Sequence, residues 1–402
     1  MTSLRDPATQ PRAHTPRATA SGGVDRSSPA AVRIAFLADI MTPYVVAVLS
    51  ELARRTDLTA VFCSRAGSRG MDWSLETGLT FRHEVIGGLT LPHLSRDGTD
   101  YYLSPRILGA LHRARPQAVI SGGFSIPSAY AAAYARLHGI PLLIYSDGTP
   151  WSEARLRSDQ RLARRVLRRL AWGAVAKSVP AARRFTEIGF PPGRVFRAPH
   201  VTRIEPFWDV ARHRPPARPG PLRLLWVGRL IPRKGAELLL RAVAEARGAG
   251  ASVELTVVGG GPGERELKAV AHRLGVPVAW IGFVDQPDLP QIYAEADAFA
   301  FTTLADPFGI VVLEAAAAGL PLIASPFAGA TEELVQDGIQ GFVVDPRDTA
   351  ALAAAIVRLA ASPELRAEMG RAAHAATLGR TPAATAAVYL EAVEAAIAAS
   401  AS

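Results

Sequence analysis

Four charged side chains in the second half of this 402-residue chain have the types and spacing to do chemistry: Arg229, Lys234, Asp306 and Glu314. In WVGRLIPRKG (226–235) a strand ends at Gly228, two cations follow with four residues between them, and a helix begins near Gly235. A guanidinium binds two oxygens at once, an ammonium adds a point charge, and a helix N-terminus is partially positive. Together they suit a diphosphate; two ordinary surface cations in a loop are the alternative. Glu314 is the only charge in an apolar run, 307–325, whose helix is apolar on nearly every side. A buried carboxylate needs donors. Two adjacent hydroxyls, as on a ribose, would satisfy both its oxygens, and so would a buried arginine. Asp306-Pro307 reads as an N-cap with proline at the first helical position. In VVGGGPGERELKAV (257–270) a glycine cluster around Gly260 joins strand to helix, but glutamate at 264 breaks the G-x-G-x-x-G pattern. The cluster either lets backbone approach a nucleotide or makes a plain tight turn.

Those residues must be held by something, and the chain supplies alternating short apolar runs and helical segments from Val32 onward. RIAFLADI, LTAVFCS, QAVISGG and IPLLIYSDG read as strands, with VVAVLSELARR and SAYAAAYARLHG as helices between them. The pattern restarts with LRLLWVG, VELTVVGGG, VAWIGF, AFAFTT, LIAS and FVVD. This predicts α/β architecture: two doubly wound parallel-sheet domains facing a cleft, with ligands at the carboxyl ends of the strands. The expected layout is a disordered tail over 1–31, an N-terminal acceptor domain over 32–204 and a proline-rich linker over 205–220. A nucleotide-binding domain over 221–380 and a C-terminal helix over 381–402 follow.

Composition sets outer limits. Length favours two domains, and 49% hydrophobic with 20% charged residues suits a globular chain. A single cysteine, Cys63, leaves no disulfide framework or cysteine-rich metal site. No stretch has the apolar core of a signal peptide or ~18 uninterrupted apolar residues, so a cytoplasmic location is expected. The net charge of +9 is concentrated in 155–184, where ten Lys/Arg meet one acid, Asp159 (10 − 1 = +9). There Arg161, Arg164, Arg165, Arg168 and Arg169 alternate with Leu162, Val166 and Leu170 at helical spacing. This is a solvated surface face, or it attracts an anionic membrane or an acidic acceptor. Nucleic acid is not expected, because no recognition motif or interleaved aromatics accompany the arginines.

Taken in order, G-R-x4-K-G, V-x-G-G-G-P-G, W-I-G-F and D-x-F-G-x4-E-A-x3-G-x-P across 222–378 resemble the retaining glycosyltransferases of family 4, which have the GT-B fold. The resemblance implies a nucleotide-sugar donor, most simply a UDP-sugar, and no metal or other cofactor. Arg229 and Lys234 would bind the diphosphate and help the nucleotide leave, and Glu314 would bind the ribose. Asp306 with the backbone of Phe308, Gly309 and Ile310 would hold the donor sugar; main chain at Phe283 and Val284 would read the base. The reaction would move a sugar to an acceptor hydroxyl with retention, in a bacterial setting that the Ala- and Arg-rich composition also suits.

Three departures bear on the site. Asp306 stands where the family usually has glutamate. Asp39-Ile40-Met41-Thr42 replaces a Gly-Gly loop, and 146–151 reads SDGTPW without the family's histidine. Asp147 is therefore the candidate at the reaction centre, as base toward the acceptor, or else part of an Asp-Gly turn. His200 is a further candidate, while His138 beside Gly139 reads as a helix C-terminus residue. The acceptor would be a natural product, polysaccharide or lipid-linked sugar, met by Thr42, Tyr44, Trp151 and loops near 65–75, 95–105, 122–126 and 147–155. Trp73, Tyr101 and Phe124 could stack on it or belong to the core. A sugar-nucleotide epimerase and a non-catalytic binder of related fold are the rival readings.

Overall fold

A computed structural model describes residues 31–64, 79–91, 101–154, 156–215 and 220–401. The tail expectation, Trp73 and most of the 65–75 and 95–105 loops lie outside those residues.

The apolar runs do form strands: β1 Arg33–Ile40, β2 Asp57–Ser64, β3 Arg82–Val85, β4 Leu89–Leu91, β5 Tyr101–Leu103, β6 Ala118–Gly122, β7 Leu142–Ser146, β8 Gly173–Ala176 and β9 Val195–Arg197. β10 Leu222–Val227, β11 Val253–Val258, β12 Val278–Gly282, β13 Ala298–Phe301, β14 Leu322–Ala324 and β15 Gly341–Val343 follow. Seven strands make one parallel sheet in the order β3-β2-β1-β6-β7-β8-β9, and six make a second in the order β12-β11-β10-β13-β14-β15. β4 and β5 form a separate antiparallel pair. The continuous apolar composition of β1 and β10 follows from parallel sheets covered by helices on both faces. Phe36 and Trp226 are accordingly fully buried. Strand order reverses between β1 and β6, and again between β10 and β13, so each sheet has a switch point at its strands' carboxyl ends. This is the architecture expected from the alternation, now with registers.

One segment differs from expectation. Residues 205–212, read as linker, form the helix Glu205–Arg212 and belong to the C-terminal half. Phe207 packs edge-on against Tyr293 at 5.4 Å, and the Trp208 indole donates to Thr377 Oγ1 at 2.9 Å. Just beyond the helix, Arg214 donates to the carbonyls of Tyr293, Ala296 and Ala318 at 2.7–3.0 Å. Burial pulls its guanidinium down to about 10, yet three carbonyls satisfy it. Prolines mark the stretch, but Phe207, Trp208 and Arg214 anchor it.

The last helix, Pro382–Ala401, returns to the N-terminal half. Its Tyr389 is fully buried against Phe36 at 5.6 Å and Tyr145 at 6.3 Å, with Ala386, Ala392, Val393 and Ala396 in the same core. Each large apolar side chain so buried contributes ~1.5–3 kcal/mol. The helix is the one described helix long and apolar enough to cross a membrane, and its buried face serves as core packing.

Candidate active site between two sheets

The donor-side residues come from the ends of four adjacent strands. Arg229 follows β10, Gly259–Gly261 follow β11, Phe283 and Val284 follow β12, and Asp306–Ile310 follow β13. A short 3-10 turn, Pro232–Lys234, ends at Gly235, whose φ is 68°. A Cβ there would lie 1.9 Å from the Thr302 carbonyl oxygen, so only glycine lets this loop sit against the end of β13. That close approach joins Lys234 to Asp306: the ammonium pairs with Asp306 Oδ2 and lies 5.4 Å from the centre of the Phe301 ring. Asp306 is buried, and its Oδ1 accepts from the Phe308 amide at 3.1 Å. Arg229 is half-buried in the same loop.

Asp306 is not the helix cap that Asp306-Pro307 suggested. The helix Ile310–Ala317 starts later, with Gly309 at φ 86° as its N-cap. The carboxylate instead closes a tight local turn with Phe308 and holds Lys234. Gly309 is required because a Cβ would fall 2.7 Å from the Phe301 ring.

Glu314 is buried, as the apolar helix implied, but among the described residues no arginine or lysine pairs with it. Its partner is the buried Tyr293 hydroxyl, which donates to Oε2 at 3.0 Å. Burial pushes the carboxyl up to about 7, and the tyrosine bond only partly opposes this. The group is thus poised near neutrality for a ligand that donates to it. Gly260 has open space beside its α-carbon, while the Gly259 amide donates to the Gly282 carbonyl at 2.7 Å and binds the β11 and β12 loops together. Phe283 is exposed and Val284 packs into the core below it.

The facing half brings together residues from separate segments. Asp147 follows β7, Lys177 follows β8, and His200 lies just past β9. His200 Nε2 is 3.6 Å from Asp147 Oδ2, and its ring lies 5.0 Å from Phe308 of the donor half and 6.5 Å from Tyr44. A histidine from past β9 thus lies beside the 146–151 loop, which carries none of its own. Burial would raise the Asp147 carboxyl, but the His200 bond, the charges of His200 and Lys177 and a backbone bond hold it below the usual carboxylate range. Burial lowers His200, outweighing Asp147, and keeps the imidazole neutral near pH 7. Lys177, which sequence reasoning missed, is buried with its ammonium 4.8 Å from the Tyr389 ring centre and 5.5 Å from that of Tyr145. Burial pulls it down to about 8 against the attraction of Asp147. Its signal was weak: one lysine ending the apolar strand GAVA.

Trp151 crosses the cleft, its indole donating to the Asp306 carbonyl at 3.3 Å. The Gly148 amide donates to Ser146 Oγ at 3.0 Å, a local contact that follows β7 beside Asp147. Thr42 is less available than its acceptor assignment required. It is buried, and its hydroxyl accepts from Val45 as the N-cap of the helix Pro43–Ala53. Phe124 is covered by the Arg164 guanidinium at 5.0 Å, the Tyr101 phenol is buried, and His138 sits at its helix end on the Tyr134 carbonyl. A polar clamp also joins the halves: Glu333 accepts from the Val179 amide at 2.6 Å and pairs with Arg380 at 3.1 Å. No group of three or more His, Cys, Asp or Glu side chains gathers to hold a metal among the described residues.

Comparison with known proteins agrees with this fold. The family described as glycosyl transferases group 1 matches residues 209–376. The chain is 36% identical over 168 residues to a glycogen synthase of Mycobacterium tuberculosis, covering 41% of this chain and only 40% of that protein. It is 30% identical over 380 residues to a D-inositol 3-phosphate glycosyltransferase of Nocardiopsis dassonvillei, covering 84% and 86% respectively. The crystal structure of Anabaena Alr3699/HepE in complex with UDP superposes with a TM-score of 0.73 at 21% identity, over 90% of this chain and all of that one. The two parallel sheets form a GT-B fold, and the chain belongs to the glycosyl transferases group 1 family.

Proposed function

We propose that this protein transfers a hexosyl group from a nucleoside diphosphate sugar to an acceptor hydroxyl, with retention at the anomeric carbon. The observation that carries the reading is the Lys234–Asp306 pair at the strand ends beside the switch point of one sheet, with Arg229 in the same loop as Lys234 and Glu314 buried in the helix that follows Asp306. Arg229 and Lys234 bind the diphosphate and stabilise the charge that builds on it as the bond to the anomeric carbon breaks. Glu314 accepts from the ribose hydroxyls. Asp306 and the backbone of Phe308, Gly309 and Ile310 hold the sugar, and main chain at Phe283 and Val284 meets the base. Complexes of the Anabaena structure with UDP and with UDP-glucose support a uridine nucleotide as the first donor to test.

The acceptor oxygen forms the new bond to the anomeric carbon and its proton must leave. The Asp147–His200 pair lies on that side of the cleft. A carboxylate held below its usual range accepts a proton poorly at pH 7, whereas a neutral imidazole oriented by it accepts well. His200 takes the proton and Asp147 positions the ring. Tyr44 and Trp151 border the space left for the acceptor, and the site works in the cytoplasm, where sugar nucleotides are made.

Incubation with labelled UDP-, GDP- and ADP-sugars tests the assignment. Transfer, or slow donor hydrolysis without acceptor, is expected. An epimerised donor, or binding with no turnover, would overturn it.

A further inference from the structure

The basic helix Ser158–Leu170 is turned in an unusual way. Of its apolar residues only Leu167 enters the core, while Leu162, Val166 and Leu170 are 59%, 44% and 40% exposed. They stand four residues apart and form one ridge, ~12 Å long at 1.5 Å per residue. Immediately beside it runs a second exposed ridge at the same spacing, Arg161, Arg165 and Arg169. Arg165 and Arg169 have no acidic partner among the described residues, and Arg161 reaches only the Leu156 carbonyl. The opposite side of the helix is anchored. Arg164 binds Glu153, Glu153 also binds Arg184 at 2.9 Å, and Arg168 donates to the Gly189 carbonyl at 3.0 Å. An ordinary surface helix turns its apolar stripe inward and its charges outward. Here the inward face is fixed by one leucine and two paired arginines, and an apolar ridge is left outside beside unpaired cations.

We propose that this face docks on an anionic lipid bilayer. Charge complementarity selects the occupant: a free acidic ligand would use the arginines alone, whereas a bilayer interface takes apolar side chains into its acyl boundary while headgroup phosphates meet the cations. Glu153 ends the loop that carries Asp147 and Trp151, so a docked helix holds the acceptor side of the cleft about one helix diameter (~10 Å) from the headgroups. A lipid-linked acceptor is then reached from the surface. That consequence rests on the transferase reading; the docking does not.

Flotation of the full chain with vesicles tests it, without donor or acceptor. Binding is expected to vesicles of 30% phosphatidylglycerol in phosphatidylcholine and not to phosphatidylcholine alone, and it should weaken as salt rises. Each surface arginine contributes about five-fold in partitioning, so R161Q/R165Q/R169Q should lose on the order of 10²-fold. L162D/V166D should also lose binding, and both variants should melt like the parent because they alter exposed side chains. No flotation of the parent overturns the proposal. So does undiminished flotation of L162D/V166D, which would mean an electrostatic contact only. A dimer by light scattering that L162D/V166D dissociates would assign the ridge to a second copy and overturn it as well. None of these outcomes touches donor binding, so docking and transfer fail separately.

Discussion

The loop after β10 and the loop after β1 occupy matching places, each following the first strand of its sheet beside a switch point, yet they do different work. On the proposed reading the β10 loop gives its residues to a ligand: Arg229 and Lys234 stand near Gly235, which is glycine because backbone passes within contact of it. The β1 loop spends its residues on structure: Met41 is buried, Thr42 caps a helix and Pro43 opens it. The proposed reactive groups of that half come instead from just past β7, β8 and β9, as Asp147, Lys177 and His200. A diphosphate demands fixed cations at fixed spacing, so one continuous segment can encode its site. An acceptor hydroxyl demands only a positioned base and a shaped space, and three distant segments can provide them. Donor-half variants should therefore impair donor binding and chemistry together, and acceptor-half variants should leave donor binding intact.

The largest effect tests the first part. Arg229→Ala should lower kcat by ~10²–10³-fold, the cost of removing one fixed charge from a developing anion, and should weaken UDP binding in calorimetry. An unchanged kcat would break the donor assignment of that loop. Asp147→Asn comes next. Loss of the group that orients His200 should lower kcat by ~10²-fold with the dissociation constant of UDP unchanged. His200→Gln should match it without adding to it, because two residues acting as one unit are not additive. If Asp147→Asn weakened UDP binding instead, the two halves would not divide the work in this way.

Glu314 gives a smaller effect with a defined pH signature. Its carboxyl titrates at about 7 in the folded protein against 4.5 in an exposed group. Ribose hydroxyls donate best to the ionised form, so UDP affinity should rise as pH passes upward through about 7, and bound nucleotide should lower the group's pKa. Folding responds oppositely. The folded state holds this proton more tightly than the unfolded state, so stability declines as pH rises from about 4.5 to about 7. Glu314→Gln should bind UDP ~10-fold more weakly, flatten the pH dependence of binding and remove that slope in stability. Calorimetry and thermal melting across pH 5–8 check both, and an affinity that stayed pH-dependent in the variant would place the titrating group elsewhere.

Much of this was legible in the sequence, and the reasons differ by residue. The strands read correctly because parallel sheets buried on both faces need uninterrupted apolar runs, as in RIAFLADI and LRLLWV. The burial of Glu314 was legible because its helix is apolar on nearly every side, although its tyrosine partner, twenty-one residues upstream, was invisible. Asp306 was misread as a cap because Asp-Pro before an apolar run is a common helix start. The Gly309 position, set by contact with Phe301, moves the start three residues on. Residues 205–214 were misread because prolines signal a connector, while the burial of Phe207 and the three carbonyls around Arg214 exist only in the folded packing. Lys177 and His200 had no spacing to betray them. Their relation to Asp147 is set by the order of β7, β8 and β9 in the sheet, and sheet order is not local information.

The smallest effect lies where the halves touch. Trp151 reaches across to the Asp306 carbonyl, so an acceptor-half residue leans on the turn that also holds Lys234. If the division of work is complete, this bond serves only to bring the halves into register. Trp151→Phe keeps the ring and removes one neutral hydrogen bond worth ~0.5–1.5 kcal/mol, which corresponds to a loss of ~2–10-fold in kcat/KM. The loss should fall on the acceptor KM and on kcat, with UDP affinity unchanged, because Lys234 and Phe308 hold Asp306 without the indole. A matching loss in UDP affinity would show that Trp151 sets the Asp306 turn itself. The donor site would then extend across the cleft, and the boundary between the two tasks would lie inside the acceptor half.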